Sequence, residues 1–496
     1  MSEGLLRRAG KAVLLNAMGN WVGMFGGTLS LFFIARLLSP TDFGVFGMVL
    51  VAFAVPEMLS SSSLNDSLIQ RPNVQLGHIN SVFIQSLALA GAFWIAIMLL
   101  APIIARGFGH PELQSMIQFF SVTLFMGAIV SIPAALLQRD LRYREITFID
   151  ILGTIVAAVV GITCAIYLKS AWALIFMEMS RRTVRLFAFT ILARWRPSFK
   201  TSWVETSELT RFNSLTVASR VVQSVEATFI RGALGAVQGP AALGMFNIAT
   251  RLSDQAKAAV VTPFAAVAMP VASQTQNDLP MLHRAIEGAM SLSAFIAYPA
   301  FIGAFVIAPI GIPVVFGDQW APAVPTIQIF FLMGLRSPTS AFNAGVLNGV
   351  GRVDWTFKIA LAGLVLAGVF VAATLHISLE AVALAMLAQL LITWAMGAYA
   401  VKQSIGFPMH RQLVVGSKSL IGSIIMALAV WGTMKSLPDT IHLPVQLLIL
   451  VFIGMVSYVV AMAALAPALA VRLGRACMLV AQGRRNEAIT LVKSRA

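Results

Sequence analysis

SPTDFGVF, residues 39–46, recurs as GPAALGMF, residues 239–246, with proline, glycine and phenylalanine at the same places 200 positions later. Each copy stands where one long apolar run ends and the next begins. A second pair supports the first. FG at 108–109 followed by IQFF at 117–120 returns as FG at 316–317 followed by IQIFF at 327–331, offset by 208 to 211. Self-similarity at a fixed offset is the mark of a duplicated unit. Counting apolar runs between the copies makes that unit six helices. An even number of crossings leaves both copies in one orientation, so the repeat is parallel, about an axis along the membrane normal.

Working outward from these motifs, fourteen apolar segments are predicted: 12–37, 42–64, 79–106, 112–137, 145–169, 171–194, 213–236, 240–272, 284–314, 322–349, 354–376, 378–402, 412–435 and 443–471. A spanning helix needs about 20 apolar residues. The runs are continuous, whereas barrel strands would read as short alternating segments. The fold class is therefore an all-α integral membrane protein. Its expected parts are an N-terminal six-helix lobe at 1–194, a cytoplasmic interfacial linker at 195–212 and a second six-helix lobe at 213–402. Two additional transmembrane helices at 403–471 and a basic cytoplasmic tail at 472–496 complete it. The linker carries Trp195, Phe199 and Trp203 four apart and a Ser202/Glu205 capping box, which reads as a short helix in the headgroup zone.

Composition agrees. Of 496 residues, 58% are hydrophobic and 11% charged, against roughly 25% charged in soluble domains. Fourteen spans leave no length for a soluble catalytic domain. The run starting at residue 12 is too long for a signal h-region. Cys164 and Cys477 lie in separate segments and read as reduced thiols. The net charge of +15 does not call for nucleic acid. Lys and Arg fall on alternate connections, among them Arg7, Arg8, Arg71, Arg139, Arg142, Arg284, Arg352, Arg411 and Arg484. The intervening connections carry little beyond Arg36, Arg106, Lys169 and Lys435. This bias predicts both termini in the cytoplasm.

Enzyme signatures are missing: there is no GxxxxGK[ST], HExxH, GxSxG or DxD. No cofactor or metal is expected. What remains is charge inside apolar segments, which is costly and usually faces a bundle interior or a wet cavity. Arg220, Ser224, Ala227 and Arg231 share one helical face, with Glu226 off it. Arg251, Asp254 and Lys257 form a second cluster, and Arg336 stands alone in segment 10. Unpaired cations suit an anionic substrate, because guanidinium binds phosphate in a bidentate way. Arg220, Arg231, Arg251 and Arg336 are therefore the expected substrate contacts. Arg181, Arg182 and Arg185 are expected to snorkel toward the cytoplasmic side, with Asp150 and Glu178 as structural partners. Asp254 and Lys257 are expected to pair at i, i+3. Gly19, Gly23 and Gly27, like Gly345 and Gly349, read as tight intrachain packing rows rather than a dimer seam. A monomer is expected.

LLSPTDFG at 37–44, SLIQR at 67–71 and PAALLQRDLRY at 133–143 together resemble the polysaccharide-transporter branch of the multidrug/oligosaccharidyl-lipid/polysaccharide exporter superfamily. The resemblance covers nearly the whole chain. It implies two six-helix lobes around a V-shaped central cavity, with two further helices. It also implies a flippase that carries a polyprenyl-diphosphate-linked oligosaccharide across the bacterial inner membrane to the periplasmic leaflet, for capsule, exopolysaccharide or O-antigen synthesis. Alternating access, coupling to protons or sodium, and a polysaccharide polymerase with its chain-length machinery as partners follow from the same resemblance. Glu57, Asp66 and Glu226 are the membrane acids to which ion coupling falls. The alternative is a cation-coupled multidrug exporter of that superfamily, which predicts acidic cavity residues without surplus cations. A membrane polymerase or ligase would need a large periplasmic loop, and every outside connection here is short.

Overall fold

The computed structural model describes residues 26–62, 76–140, 142–193, 214–265, 268–275, 277–438 and 440–467. Secondary structure in them is helical throughout. The elements are α1 (Gly26–Leu37), α2 (Pro40–Glu57) continued by a π-helical turn (Met58–Ser62), α3 (Leu76–Gly107), α4 (Glu112–Phe120), α5 (Val122–Arg139), α6 (Tyr143–Leu168), α7 (Trp172–Ala193) and α8 (Ser214–Val260). They continue as α9 (Thr262–Ala265), α10 (Ala268–Thr275), α11 (Leu279–Phe316), a 3-10 turn (Asp318–Ala323), α12 (Val324–Gly334) and α13 (Ser337–Gly349). The last are α14 (Val353–Thr374), α15 (Leu379–Ile405), α16 (Met409–Val414), α17 (Ser417–Ser436) and α18 (Leu443–Leu465). Among the described residues, nine helical stretches are long and apolar enough to cross a membrane. Their outer faces are apolar as well: Leu99, Ile103, Val159, Leu428 and Val460 are all exposed. Such faces are stable only against lipid.

The chain forms two compact units. One comprises Met1–Asn247 with Gly363–Leu379, the other Ile248–Ala362 with Glu380–Ala496.

In the first unit, α3 packs on α5 through Ile79, Val82, Phe83, Ile132 and Ala135, and α5, α6 and α7 meet around Leu137, Ile146, Ile149 and Phe189. The two copies of the opening motif meet here. Ser39 caps α2: its hydroxyl accepts from the Asp42 N–H at 3.3 Å, and its own N–H donates to the Asp42 carboxylate at 2.9 Å. Pro40 follows at the first helical position, where its missing N–H costs nothing. The corresponding Gly239 takes φ 83°, ψ 179° and breaks the long α8. A pre-proline residue is driven out of the helical region, and glycine accepts the positive φ without strain. The starts of α2 and of the second half of α8 then cross reciprocally. A Cβ on Gly44 would lie 1.7 Å from the Pro240 carbonyl oxygen, and one on Gly244 1.8 Å from that of Pro40. Gly47 faces its own repeat mate, Asn247. Contacts that exchange i and i+200 on both sides define a local two-fold axis at this crossing.

In the second unit, α10, α11, α13 and α15 bury Ala272, Leu282, Met290, Phe342, Val346 and Val401. Gly345 and Gly349 bring α13 onto α10, where a Cβ would stand 2.8 Å from Ala268 Cβ and 2.7 Å from the Met269 carbonyl. That is the intrachain packing expected of this pair. A Cβ on Gly27, by contrast, would meet nothing within 4 Å among the described residues; Gly19 and Gly23 lie outside the described residues. The additional helices α17 and α18 dock on α11 through Met426, Val430, Leu450 and Tyr458, and the Tyr458 hydroxyl donates to the Phe295 carbonyl at 2.7 Å. Prolines break two segments expected as single runs. Segment 8 is interrupted at Val261, two residues before Pro263, and segment 10 divides at Leu335–Arg336, just before Pro338.

Candidate functional site

Polar chemistry collects at one place in each unit. In the first, α7 presents Arg181, Arg182 and Arg185 along one side. They line a cavity of about 300 Å³ together with Glu57, Glu178 and Gln138. Glu57 reaches it because Pro56 lies in the last turn of α2 and the following residues wind as a π-helix. Pro removes an intrahelical hydrogen bond, and π turns recur where a helix must redirect a side chain.

Arg182 is the hub. It donates to Glu57 at 2.6 and 3.1 Å and to Glu178 at 2.9 Å, and it lies 5.4 Å from the Phe120 ring centroid. Glu178, a buried carboxylate, also accepts from Arg181 at 2.6 and 2.7 Å. Arg185 is held differently. Its Nε is 3.4 Å from Asp150 Oδ1 yet is buried without a hydrogen-bond partner. The expectation that these arginines snorkel is corrected for Arg182, whose side chain is only 18% exposed. Two carboxylates, one of them 125 residues away, hold it inside the unit.

In the second unit, Arg336 sits between α12 and α13. Its guanidinium lies 4.2 Å from the Trp394 ring centroid, and the Tyr298 hydroxyl is within interaction range of it. Trp394 donates through Nε1 to Thr339 Oγ1 at 2.9 Å. No carboxylate among the described residues forms an ion pair with Arg336. One helix turn beyond Thr339, Asn343 is buried and neither of its amide atoms has a partner.

The sequence-predicted residues fall in both units. Arg220, Glu226 and Arg231 belong to the first unit, on α8, while Arg251 and Arg336 belong to the second. Arg220 and Arg251 are exposed, Arg231 and Glu226 half-buried, and all four are engaged by neighbours. Glu57 lines the α7 cavity. Asp66 and the expected 195–212 linker lie outside the described residues. Asp254 pairs with Lys257 at 3.1 Å, as its spacing requires. Sequence reasoning missed the cavity itself. The i, i+3, i+4 spacing of Glu178, Arg181 and Arg182 was a signal for a paired cluster, but nothing local connects α7 to Glu57.

Known proteins resemble this chain in sequence and in fold. A family described as polysaccharide biosynthesis protein matches residues 33–325. The lipopolysaccharide biosynthesis protein WzxC of Escherichia coli (strain K12) is 24% identical over 343 residues, covering 67% of this chain and 68% of that protein. The succinoglycan biosynthesis transport protein ExoT of Rhizobium meliloti (strain 1021) is 23% identical over 399 residues, covering 80% and 81%. Among solved structures, the lipid II flippase MurJ in an inward closed conformation superposes with a TM-score of 0.73 at 14% identity, over 92% of this chain and 99% of that one. An inward-facing multidrug resistance MATE family transporter reaches 0.62 at 13% identity, over 78% and 95%. These likenesses show a common transporter fold. With its match spanning more than half its length, the chain is a multi-pass membrane protein of the polysaccharide biosynthesis protein family.

Proposed function

We propose that this protein is a flippase, not an enzyme, and that it moves a polyprenyl-diphosphate-linked oligosaccharide from the cytoplasmic to the periplasmic leaflet of a bacterial inner membrane. The family and the relatives named for lipopolysaccharide and succinoglycan biosynthesis support the substrate class. The work is physical: a sugar and diphosphate headgroup cannot cross hydrocarbon unaided. Alternating access exposes the carrier's polar interior to each leaflet in turn. Coupling to a proton or sodium gradient falls to Glu57, Asp66 or Glu226. Both termini are cytoplasmic, the working form is a monomer, and a polymerase with its chain-length machinery receives the product.

The observation that carries the reading is Arg336. A guanidinium placed among apolar helices without a carboxylate among the described residues calls for an anion, and its stacking on Trp394 fixes the plane of its donor fork. A multidrug exporter that binds cations gains nothing from such a group. The test uses proteoliposomes and a fluorescent polyprenyl-diphosphate-linked oligosaccharide, with chemical quenching of the outer leaflet. Arg336→Ala is expected to lower the flipping rate by about tenfold or more, the loss of roughly one charge-assisted contact. Arg336→Lys restores part of it. Wild-type rates in the Arg336→Ala protein refute the assignment.

A further inference from the structure

The α7 cluster contains three guanidiniums, on Arg181, Arg182 and Arg185, and three carboxylates, on Glu57, Asp150 and Glu178. Among the described residues it is electrically balanced, so an anion entering its cavity leaves one negative charge too many. In a low-dielectric setting that excess is removed most cheaply by a proton. The three carboxylates are not held equally. Glu178 accepts three guanidinium hydrogen bonds and Glu57 two. Asp150 has Arg185 at 3.4 Å, without a hydrogen bond from its Nε. It is the loosest acid of the cluster, and its partner lines the cavity.

The groups facing Asp150 narrow the choice further. From α7 come Arg185 and, farther off, Arg181. At the start of its own helix Arg142, the residue before α6, pairs with Glu145, and Arg144 is exposed six residues before Asp150. Helix α5 presents the uncharged Ser131 and Gln138 to the cavity. The described part of α1 carries one charged residue, Arg36, which lies over Phe32 at the end away from Thr154, the α6 residue that touches Gly26. We propose that Asp150 and Arg185 form a proton-labile pair: when Asp150 takes a proton, Arg185 is released to bind one oxyanion, a phosphate or a carboxylate, in the α7 cavity. Arg182, locked between Glu57 and Glu178, is the fixed frame on which that site is built. The proposal rests on the flippase reading for the identity of the ligand, which is either the diphosphate of the lipid carrier or the carboxylate of an acidic sugar.

Binding is read directly, by calorimetry on the full chain in nanodiscs of phosphatidylethanolamine and phosphatidylglycerol. Glucuronate and inorganic pyrophosphate serve as probes from about pH 8 to about pH 6. Glucuronate keeps its charge throughout that range, so any trend with pH belongs to the protein. Its affinity is expected to rise as pH falls, by up to about tenfold per pH unit for one linked proton. Repeating the titration in buffers of different ionisation enthalpy should return close to one proton taken up per anion. Pyrophosphate binding without glucuronate binding assigns the site to the carrier headgroup; the reverse assigns it to an acidic sugar. Asp150→Asn mimics the protonated acid and is expected to bind equally tightly across the range. Arg185→Ala is expected to lose binding, and Arg185→Lys to recover part of it. If neither probe binds the wild type, or Asp150→Asn keeps the wild-type slope, the proposal is overturned. The second criterion holds even if Arg185→Ala does not fold. Transport is measured separately: flipping with no proton-linked binding removes this site alone, and proton-linked binding with no flipping removes the flippase reading alone.

Discussion

Glu178 shows how far pairing, rather than position, decides the fate of a charge in this bundle. Its carboxylate serves Arg181 and Arg182 from within the first unit and is 8% exposed. Removing one partner of a buried ion pair costs about 3–5 kcal/mol, because the other charge is left uncompensated. Glu57 is more exposed, and its partner Arg182 keeps Glu178 when Glu57 is lost. Glu178→Gln should therefore lower the thermal stability of the detergent-solubilised protein strongly, while Glu57→Gln costs about 1 kcal/mol, as exposed pairs do. Equal melting temperatures for the two variants would contradict this ranking. The sequence showed the local half of the arrangement, since Glu178, Arg181 and Arg182 stand at helical spacing. The distant half was not legible. Glu57 meets Arg182 only after α2 and α7 both pack on α4, whose Phe120 ring lies 5.0 Å from that of Phe53 on α2 and 5.4 Å from the Arg182 guanidinium on α7. Arg336 was legible for the opposite reason: its segment contains no acid to pair with it.

Among the helices, the reciprocal crossing of α2 and α8 is the tightest contact described. Membrane helices gain little from the hydrophobic effect between them, so close van der Waals packing over small residues takes its place. The crossing requires glycine on both sides. Gly44→Ala puts a methyl group 1.7 Å from a backbone carbonyl oxygen, and a carbonyl cannot rotate away as a side chain tip can. Overpacking of this kind costs about 1–3 kcal/mol, and more where backbone must move. Gly244→Ala meets the same geometry at 1.8 Å and should cost as much. Gly91, inside α3, meets open space, so Gly91→Ala should leave stability unchanged or raise it by up to about 1 kcal/mol through helix propensity. Thermal melts of the three purified variants check this; an unaffected Gly44→Ala protein would mean the crossing is looser than described. The repeated Pro, Gly and Phe made the duplication visible in the sequence. That the two copies touch each other was not visible, because periodicity reports likeness and not proximity. The breaks near Pro263 and Pro338 were smoothed over for a related reason: hydropathy continues across a kink that the backbone does not.

For the whole molecule, the arrangement of loop charge makes the firmest prediction. An arginine at the centre of a spanning helix costs about 2.5–3.5 kcal/mol on insertion scales, so cations outside the functional clusters collect in connections, and most of them in alternate ones. Arg139 and Arg142 lie at the α5–α6 connection and Arg352 at the α13–α14 connection. The α3–α4 connection at 108–111 and the α11–α12 connection have no Lys or Arg. An even number of crossings predicts the first group on the cytoplasmic side and the second on the periplasmic side. Alkaline phosphatase fused after Gly109 should therefore be active, and the same reporter fused after Asp140 inactive. Green fluorescent protein at the C-terminus should fluoresce. That predicted orientation would put the Ser39–Gly44 and Gly239–Gly244 crossing at the periplasmic ends of its helices and Asp150 in the cytoplasmic half of α6, where a carrier loading from the cytoplasmic leaflet needs its first anion contact. Activity of the Asp140 fusion would invert that assignment, and with it the direction of transport proposed for this chain.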